Sequence, residues 1–216
     1  MADYIRARSA AQKQERLDAI MKATDKLFQK KPYNEITMGA IAQSLGWSRS
    51  NLYKYASTHE EILLMIHDAK MQSWVNQLID ELTDTKTVSD DFAQSWARIT
   101  EKHAGFLRYQ TMCATVLEPN VSLDLLVQSK TQRTEYTNKL VAFLAEKCYI
   151  DVNRAKRLAL QLMCEAPLLY CQLNPSSAAT KALKKAGIAK PETSFVNEYA
   201  DFVSLCIDDA YRGPNV

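Results

Sequence analysis

Three hydrogen-bonding side chains stand next to one another at Arg49, Ser50 and Asn51. An arginine can donate two hydrogen bonds to guanine, and an asparagine can form a similar paired contact with adenine. Such side chains read base sequence when they project from the first turn of a helix that enters the major groove. These residues therefore predict contacts to DNA bases, provided that the surrounding segment forms such a helix.

The segment around these residues has the pattern of two short helices joined by a tight turn. The apolar residues of the first helix recur at helical spacing and are Ile36, Ile41 and Leu45. Thr37 is predicted to cap the start of this helix, and Gly46 to end it, because glycine adopts the left-handed conformation without strain. Ser48 is predicted to cap the second helix, Arg49 to Tyr55. This pattern is typical of a helix-turn-helix with a recognition helix.

The segment resembles the N-terminal DNA-binding domain of the TetR/AcrR transcriptional repressors, specifically over about residues 16–64. The matching residues are Thr37, Ile41, Ala42, Leu45, Gly46, Ser48, Leu52, Tyr53, Glu60, Glu61 and Ile62. The resemblance implies an all-α fold, in agreement with about nine helices predicted along the chain. Residues 1–58 would form a three-helix helix-turn-helix DNA-binding domain, with Arg6 and Arg8 in a flexible leader. Residues 59–216 would form a helical ligand-binding and dimerisation domain.

The resemblance also implies which residues contact DNA. Arg49 and Asn51 occupy positions at which family members contact bases or nearby phosphates, and Tyr53 matches a recurrent tyrosine that donates to a phosphate. Ser50 adds a donor at the same helix end. Contacts that position the protein on the backbone are predicted for Thr37, Lys54, Tyr55 and His59. The alternatives are packing against the core for Tyr55 and a role as a cap alone for Thr37.

Four positions depart from the family pattern. His59 stands where a lysine usually meets a phosphate, so this contact is expected to be weaker and pH-dependent. Ala56 replaces a bulky apolar residue, and Trp47, which replaces a small aliphatic one, is expected to fill the space. Gly39 stands where many members carry an arginine or an acid, so one DNA contact is expected to be missing.

The charge distribution agrees with a DNA-binding N-terminal part. Residues 1–60 contain ten Lys/Arg and six Asp/Glu, a net charge of +4, whereas the remaining residues contain 17 and 19, a net charge of −2. A positive excess at the helix-turn-helix favours binding to the phosphate backbone.

Further helices are expected in the rest of the chain. Thr58 and Glu61 form a capping box that opens a helix from about His59 to Glu81. Helices are also predicted over about 89–118, with Ser89 as N-cap and a break near 103–105, and over 122–147, 151–173 and 194–211. The segment 174–193 is small and polar with two prolines, which predicts a loop with about one helical turn.

Repressors of this family bind small molecules in the second domain, and aromatic or soft residues here could line an apolar pocket. The candidates are Trp74, Trp96, Phe106, Tyr109, Met112 and Tyr136. Ordinary core packing is the alternative for each of them. Glu165 lies within an apolar run and could anchor a cationic ligand group, or it could face a partner subunit or solvent.

The last two long helices resemble the pair that forms a four-helix bundle with a second subunit in this family. Their apolar faces are assigned to Leu158, Leu162, Leu169 and Leu173, and to Phe195, Tyr199, Phe202, Val203 and Cys206. A two-fold homodimer would place two recognition helices about 34 Å apart on a palindromic operator.

Other classes of function find little support in the sequence. The chain has no glycine-rich phosphate loop, nucleophile elbow or metal-binding pattern, so an enzyme, a cofactor and a metal are not expected. None of the five cysteines forms a C-x-x-C pair, which favours reduced thiols. No apolar run is long enough for a membrane span, and the polar N-terminus lacks a signal sequence, so a cytoplasmic location is expected. The sequence thus predicts a repressor that a small-molecule effector releases from operator DNA. The alternatives are an activator in place of a repressor, and a regulatory or architectural DNA-binding protein of the same fold without such a ligand.

Overall fold

A computed structural model describes residues 2–84, 90–189 and 191–212. Within these ranges the chain is helical and contains no β-strand, which confirms the all-α prediction. In the same part of the chain, no helix combines the length and the apolarity that crossing a membrane requires.

The described residues form ten α-helices. They are α1 (Ala2–Lys30), α2 (Met38–Leu45), α3 (Arg49–Leu52), α4 (His59–Leu82), α5 (Asp90–Lys102), α6 (Ala104–Met112), α7 (Leu123–Lys147), α8 (Val152–Leu173), α9 (Ser177–Ala186) and α10 (Phe195–Arg212). Short stretches of tighter or wider helix occur at Tyr33–Glu35, Cys113–Leu117 and Glu118–Asn120.

Two boundaries near the N-terminus differ from the prediction. The expected flexible leader is helical, since α1 begins at Ala2. The recognition helix ends at Leu52 and not at Tyr55. The chain continues beyond Leu52 in a tighter turn, in which the N–H groups of Lys54 and Tyr55 donate to carbonyl groups three residues earlier, at Asn51 and Leu52.

The prediction of a loop over 174–193 is wrong for its central part, which forms the ten-residue helix α9. The side chain of Ser176 accepts a hydrogen bond from the N–H of Ala179, and Gly187 ends the helix in the left-handed conformation with φ of 69°. Pro175 and Pro191 lie outside α9 and therefore do not interrupt it. Ser89, the predicted N-cap of the next helix after α4, lies outside the described residues.

The chain divides into two compact units. The first unit takes the chain up to Ala69 together with Met112–Lys130, and the second takes Lys70–Thr111 and the chain from Thr131 onward. Helices α4 and α7 therefore contribute residues to both units. In the first unit α1 packs on α2 and α2 on α3. Its buried apolar residues include Ile20, Phe28, Ile36, Ile41, Leu52, Ile62 and Leu63.

The second unit is built around aromatic residues. The indole of Trp74 meets that of Trp96 edge-on at 6.3 Å between ring centroids and stacks on Phe106 at 5.3 Å. Helix α10 packs against α5 and α8 and adds Phe195 and Tyr199, whose rings stack at 5.2 Å. Such a core buries a large apolar area and needs hydrogen-bond partners for its indole and phenol groups.

Candidate nucleic-acid interface

Local hydrogen bonds fix the turn between α2 and α3. The side chain of Thr37 accepts a hydrogen bond from the N–H of Ala40 at 3.1 Å. Gly46 ends α2 with φ of 68°, a conformation that favours glycine. The side chain of Ser48 accepts from the N–H of Asn51 at 3.3 Å and caps α3. The three predicted capping residues are therefore confirmed.

One buried residue orients the short recognition helix. Leu52 is completely buried in the first unit, so the opposite side of α3 must face outward. Arg49 and Ser50 are exposed and Asn51 is half-buried. Tyr53, the C-cap of α3, has 54% of its surface exposed. The predicted base-reading side chains and the predicted phosphate-binding tyrosine are thus accessible on one short segment.

The guanidinium group of Arg49 lies over Gly39 on α2. A Cβ atom added at Gly39 would lie 2.6 Å from Nη2 of Arg49 and 3.0 Å from its Cζ. Any larger residue at position 39 would therefore displace this arginine. Gly39 was expected only to remove a DNA contact, but in this structure it makes room for the side chain of Arg49 across α2.

His59 begins α4 next to a carboxylate. Its Nδ1 lies 3.1 Å from Glu60, whose other oxygen accepts a hydrogen bond from the Tyr33 hydroxyl at 2.5 Å. Burial and this carboxylate raise the pKa of Tyr33 above its ordinary value. The carboxylate of Glu60 lies next to Nδ1 of the imidazole, so any phosphate contact through His59 has to compete with Glu60.

The aromatic residues that flank α3 pack against each other. The rings of Trp47 and Tyr55 are 6.2 Å apart, and both side chains are half-buried. Ala56 is buried with 5% of its surface exposed. Tyr55 therefore takes part in packing and also keeps part of its surface accessible to a phosphate.

A buried carboxylate ties the start of α4 to the start of α7. Glu61 accepts hydrogen bonds from the N–H of Ser57 at 2.6 Å and from the N–H of Ser122 at 3.2 Å. The hydroxyl of Thr58 accepts from the N–H of Glu61 at 3.1 Å and donates to the carbonyl of Asn120 at 3.1 Å. The predicted capping box is confirmed, but its link to residues 120–122 was not foreseen, since it joins segments about sixty residues apart.

These hydrogen bonds predict an acid-sensitive contribution to stability. Burial raises the pKa of Glu61, but the hydrogen bonds from Ser57, Ser122 and Thr58 outweigh it, so the pKa lies below its ordinary value. The ionised carboxylate therefore stabilises the fold above the ordinary pKa of a glutamate, and this stabilisation is lost as the pH falls through the lowered pKa.

We expect Glu61→Gln to lower the free energy of unfolding by about 1–3 kcal/mol at pH 7, because its neutral side chain accepts the buried hydrogen bonds less well. The loss of stability between pH 7 and pH 3 should be smaller than in the parent. Urea unfolding at both pH values measures this, with the exposed Glu15→Gln as control. Equal acid dependence in Glu61→Gln and the parent would contradict the assignment.

The candidate ligand-binding residues of the second unit lie mainly in its packed core. Trp74, Trp96, Phe106 and Tyr109 have at most 3% of their surface exposed. The indole N–H of Trp74 donates to the Thr100 hydroxyl at 3.2 Å. Core packing thus explains Trp74, Trp96 and Phe106 without a ligand.

A hydrogen-bonded chain satisfies another buried indole of this core. The indole N–H of Trp96 donates to the hydroxyl of Tyr199 at 3.4 Å, and that hydroxyl donates to the carbonyl of Leu162 at 2.8 Å. Of the other candidates, Tyr136 and Glu165 are half-buried in the second unit, and Met112 belongs to the first.

The residues assigned to the dimer interface need correction. Several of them are buried within their own unit, where they cannot contact a partner: Leu158, Leu162, Phe195, Tyr199, Val203 and Cys206. The exposed leucines are on the other faces, with 62% exposure at Leu160 and 60% at Leu168 on α8, and 66% at Leu205 on α10. Cys164, between the two leucines of α8, is also exposed.

Comparisons with solved structures show similar folds. A fatty acid degradation regulator, FadR from Bacillus halodurans, shares 14% identity with a TM-score of 0.56, covering 88% of this chain and 93% of that one. FadR from Bacillus subtilis in complex with stearoyl-CoA shares 16% identity with a TM-score of 0.53, covering 88% and 96%. The TetR family regulator PfmR from Thermus thermophilus shares 16% identity with a TM-score of 0.52, covering 88% and 97%.

Family models match nearly the whole described chain, although no curated protein sequence matches it. Residues 20–66 match the model for bacterial regulatory proteins of the tetR family. Residues 68–208 match the model for the tetracyclin repressor-like C-terminal domain. The resemblance carried by Thr37, Gly46 and Tyr53 is thereby confirmed, and the protein belongs to the TetR family of DNA-binding transcriptional regulators.

Proposed function

We propose that this regulator is a repressor, which binds a palindromic operator as a homodimer and is released by a small-molecule effector. The observation that carries the proposal is the accessibility of the exposed Arg49 and Ser50 and the half-buried Asn51 on a helix held by the buried Leu52. Arginine and asparagine at the start of such a helix are suited to the edges of guanine and adenine in the major groove.

Backbone contacts would surround these base contacts. Tyr53 and Lys54 follow directly after α3 and are exposed, and Thr37 stands exposed at the start of α2. Hydroxyl and ammonium groups at these places would hold phosphates and fix the orientation of α3 without reading sequence. His59 would add a weaker contact, because Glu60 competes for its imidazole.

The exposed leucines of α8 and α10 support a homodimer. Helices α8 and α10 pack against each other, and Leu160, Leu168 and Leu205 expose more than half of their surface. Leu160, Cys164 and Leu168 follow one another at four-residue spacing along one side of α8, and a contiguous exposed apolar patch is typical of a surface that binds a partner. We therefore assign the partner-facing surface to this face of α8 and the exposed side of α10.

The nature of the effector is proposed by analogy. The Bacillus subtilis relative carries stearoyl-CoA, so long-chain acyl-CoA is the effector class that we would test first. Helix α4 contributes residues to both units, which makes it the candidate link between effector and DNA. An effector releases DNA only through its different affinity for the two states, and DNA must then weaken effector binding by the same factor.

A regulator without a small-molecule ligand is the second candidate. It is favoured by the packing of Trp74, Trp96 and Phe106, whose rings contact each other in the core of the second unit. In that case the second unit would serve dimerisation alone.

Footprinting of the region upstream of its own gene tests the proposal. We expect two protected half-sites about one helical turn, or ~34 Å, apart. Addition of stearoyl-CoA, followed by other acyl-CoA lengths, should remove the protection if the effector class is correct. Protection that no effector candidate changes would favour the second candidate. Absence of protected half-sites would contradict the repressor proposal.

A further inference from the structure

A cleft on the surface of the first unit carries a cluster of cations. It has a volume of about 360 Å³ and lies between the N-terminal part of α1 and the turn after α3. Its lining residues are Gln12, Lys13, Arg16, Lys54 and Tyr55. Gln12, Lys13 and Arg16 lie on α1 and belong to none of the contacts described above.

The cations on α1 lie on a side of the helix that also serves packing. Lys13 and Arg16 precede Ile20 by seven and four residues, so the three side chains lie on one side of the helix. Ile20 is fully buried, and Thr24 and Phe28 continue this buried side. Beyond Ile20 that side continues with two exposed cations, which lie past the buried core.

Neighbouring acids do not neutralise these charges. Among residues 11–84, 91–189 and 191–212, whose side chains the structure describes, no carboxylate oxygen lies within 4.0 Å of the charged groups of Lys13, Arg16 or Lys54. The acidic Asp18 accepts a hydrogen bond from Gln14 at 2.8 Å. Three like charges around one cleft repel each other and give a positive local potential that an anion would relieve.

The remaining lining groups suit an oxyanion. The Gln12 amide and the Tyr55 hydroxyl can both donate hydrogen bonds. Tyr55 is held by packing against Trp47 at 6.2 Å between ring centroids. The guanidinium of Arg16 offers two parallel donors, which match two oxygens of a phosphate, and each lysine adds a compact charge.

We propose that this cleft binds a phosphate of the DNA backbone beside the base pairs that α3 contacts. The proposal rests on the DNA-binding function proposed above and adds Lys13 and Arg16 to its contact residues. Lys54 follows Tyr53, the C-cap of α3, so one wall of the cleft belongs to the reading segment itself. Such a phosphate contact fixes the position of the recognition helix on the duplex and reads no sequence.

The test compares two double variants that lose the same charge. Lys13→Gln with Arg16→Gln removes the α1 side of the cleft, and Lys22→Gln with Lys26→Gln removes two exposed cations from elsewhere on α1. Fluorescence anisotropy would measure the affinity of each for an operator duplex and for a scrambled duplex over a range of salt concentrations. Circular dichroism melts would show that both variants fold.

The expected result is a change in salt dependence at the cleft alone. A dimer of the first variant loses four cations, and each lost phosphate contact lowers the slope of log affinity against log salt by about 0.9. We expect the slope to fall by about 2–4 and operator affinity to fall at least tenfold, on the order expected for such contacts. The ratio of the variant's affinity for the operator to its affinity for the scrambled duplex should stay within about two-fold of the parent's ratio, because phosphate contacts carry no sequence information. The control should keep the parent's slope.

Two results would overturn the proposal. The first is an equal slope in both double variants and the parent. The second is a combination of two observations. Inorganic phosphate raises the melting temperature of the parent but not that of the Lys13→Gln, Arg16→Gln variant, and this variant binds DNA with the parent's affinity. The cleft would then bind a free phosphate. Failure of the proposed function itself looks different, since the parent would then bind operator and scrambled duplex equally.

Discussion

Replacement of Arg49 by alanine is expected to lower the affinity of the proposed dimer for its operator at least thirty-fold and to relax its sequence preference at one base pair of each proposed half-site. A paired hydrogen bond from arginine to guanine contributes about 1–3 kcal/mol of discrimination. A dimer loses this contact twice, or roughly 2–6 kcal/mol. Anisotropy with operator duplexes that carry each of the four base pairs at the candidate position would measure the change.

Gly39 provides a second variant for the same contact. A Cβ at this residue would lie 2.6 Å from Nη2 of Arg49. Gly39→Ala should therefore push the guanidinium away from α2 and change operator affinity, although the arginine itself is still present. The exposed Lys26→Ala is the control for a general loss of positive charge. If Arg49→Ala weakens all duplexes by the same factor, Arg49 contacts a phosphate and the base-reading role is wrong.

If the protein is the proposed dimer, replacement of Leu168 by glutamate is expected to convert it into a monomer and to weaken operator binding about a hundred-fold or more. With two linked heads, binding of the second is an intramolecular event, which typically raises overall affinity by about 10²–10⁴. Leu168 is 60% exposed on α8, so a charge there should not disturb the unit's own core, but it would be buried in a dimer. Light scattering and anisotropy on the same samples would measure both effects.

The control for this variant is the same substitution at another exposed leucine. Leu123 begins α7 with 74% of its surface exposed, and Leu123→Glu should leave the oligomeric state unchanged. Melting curves would show whether both variants keep the parent's fold. A Leu168→Glu protein that remains dimeric would place the interface elsewhere on the chain.

The sequence predicted those features of the DNA-binding head that depend on a few neighbouring residues. Thr37, Gly46 and Ser48 each act on backbone groups within about four positions, so their residue types alone indicated where α2 and α3 begin or end. The capping box of Thr58 and Glu61 is equally local. Such signals identified the helix-turn-helix and through it the family.

Contacts between distant parts of the chain were not predictable in the same way. Nothing in the sequence indicates that Glu61 accepts a hydrogen bond from the N–H of Ser122, or that the guanidinium of Arg49 lies over Gly39. The cleft beside Lys54 was missed for the same reason. Lys13 and Arg16 precede Lys54 by about forty residues, and only the fold brings them to one cleft.

The faces of α8 illustrate a different limit. Apolar residues occur on several sides of this helix, and periodicity alone does not tell which side meets the unit's own core. The structure buries Leu158 and Leu162 and exposes Leu160 and Leu168. Because both sets follow helical spacing, only tertiary packing separates the core-facing side from the side that is free for a partner.

The most direct test of the proposed function is the affinity of the unmodified protein for two duplexes of equal length. One carries the sequence upstream of its own gene, and the other carries the same bases in scrambled order. Anisotropy titrations at two salt concentrations should show that the first binds at least a thousand-fold more tightly, as expected for specific recognition, and that both affinities fall as salt rises. Equal affinity for the two duplexes at both salt concentrations would contradict sequence-specific repression of its own gene by this protein.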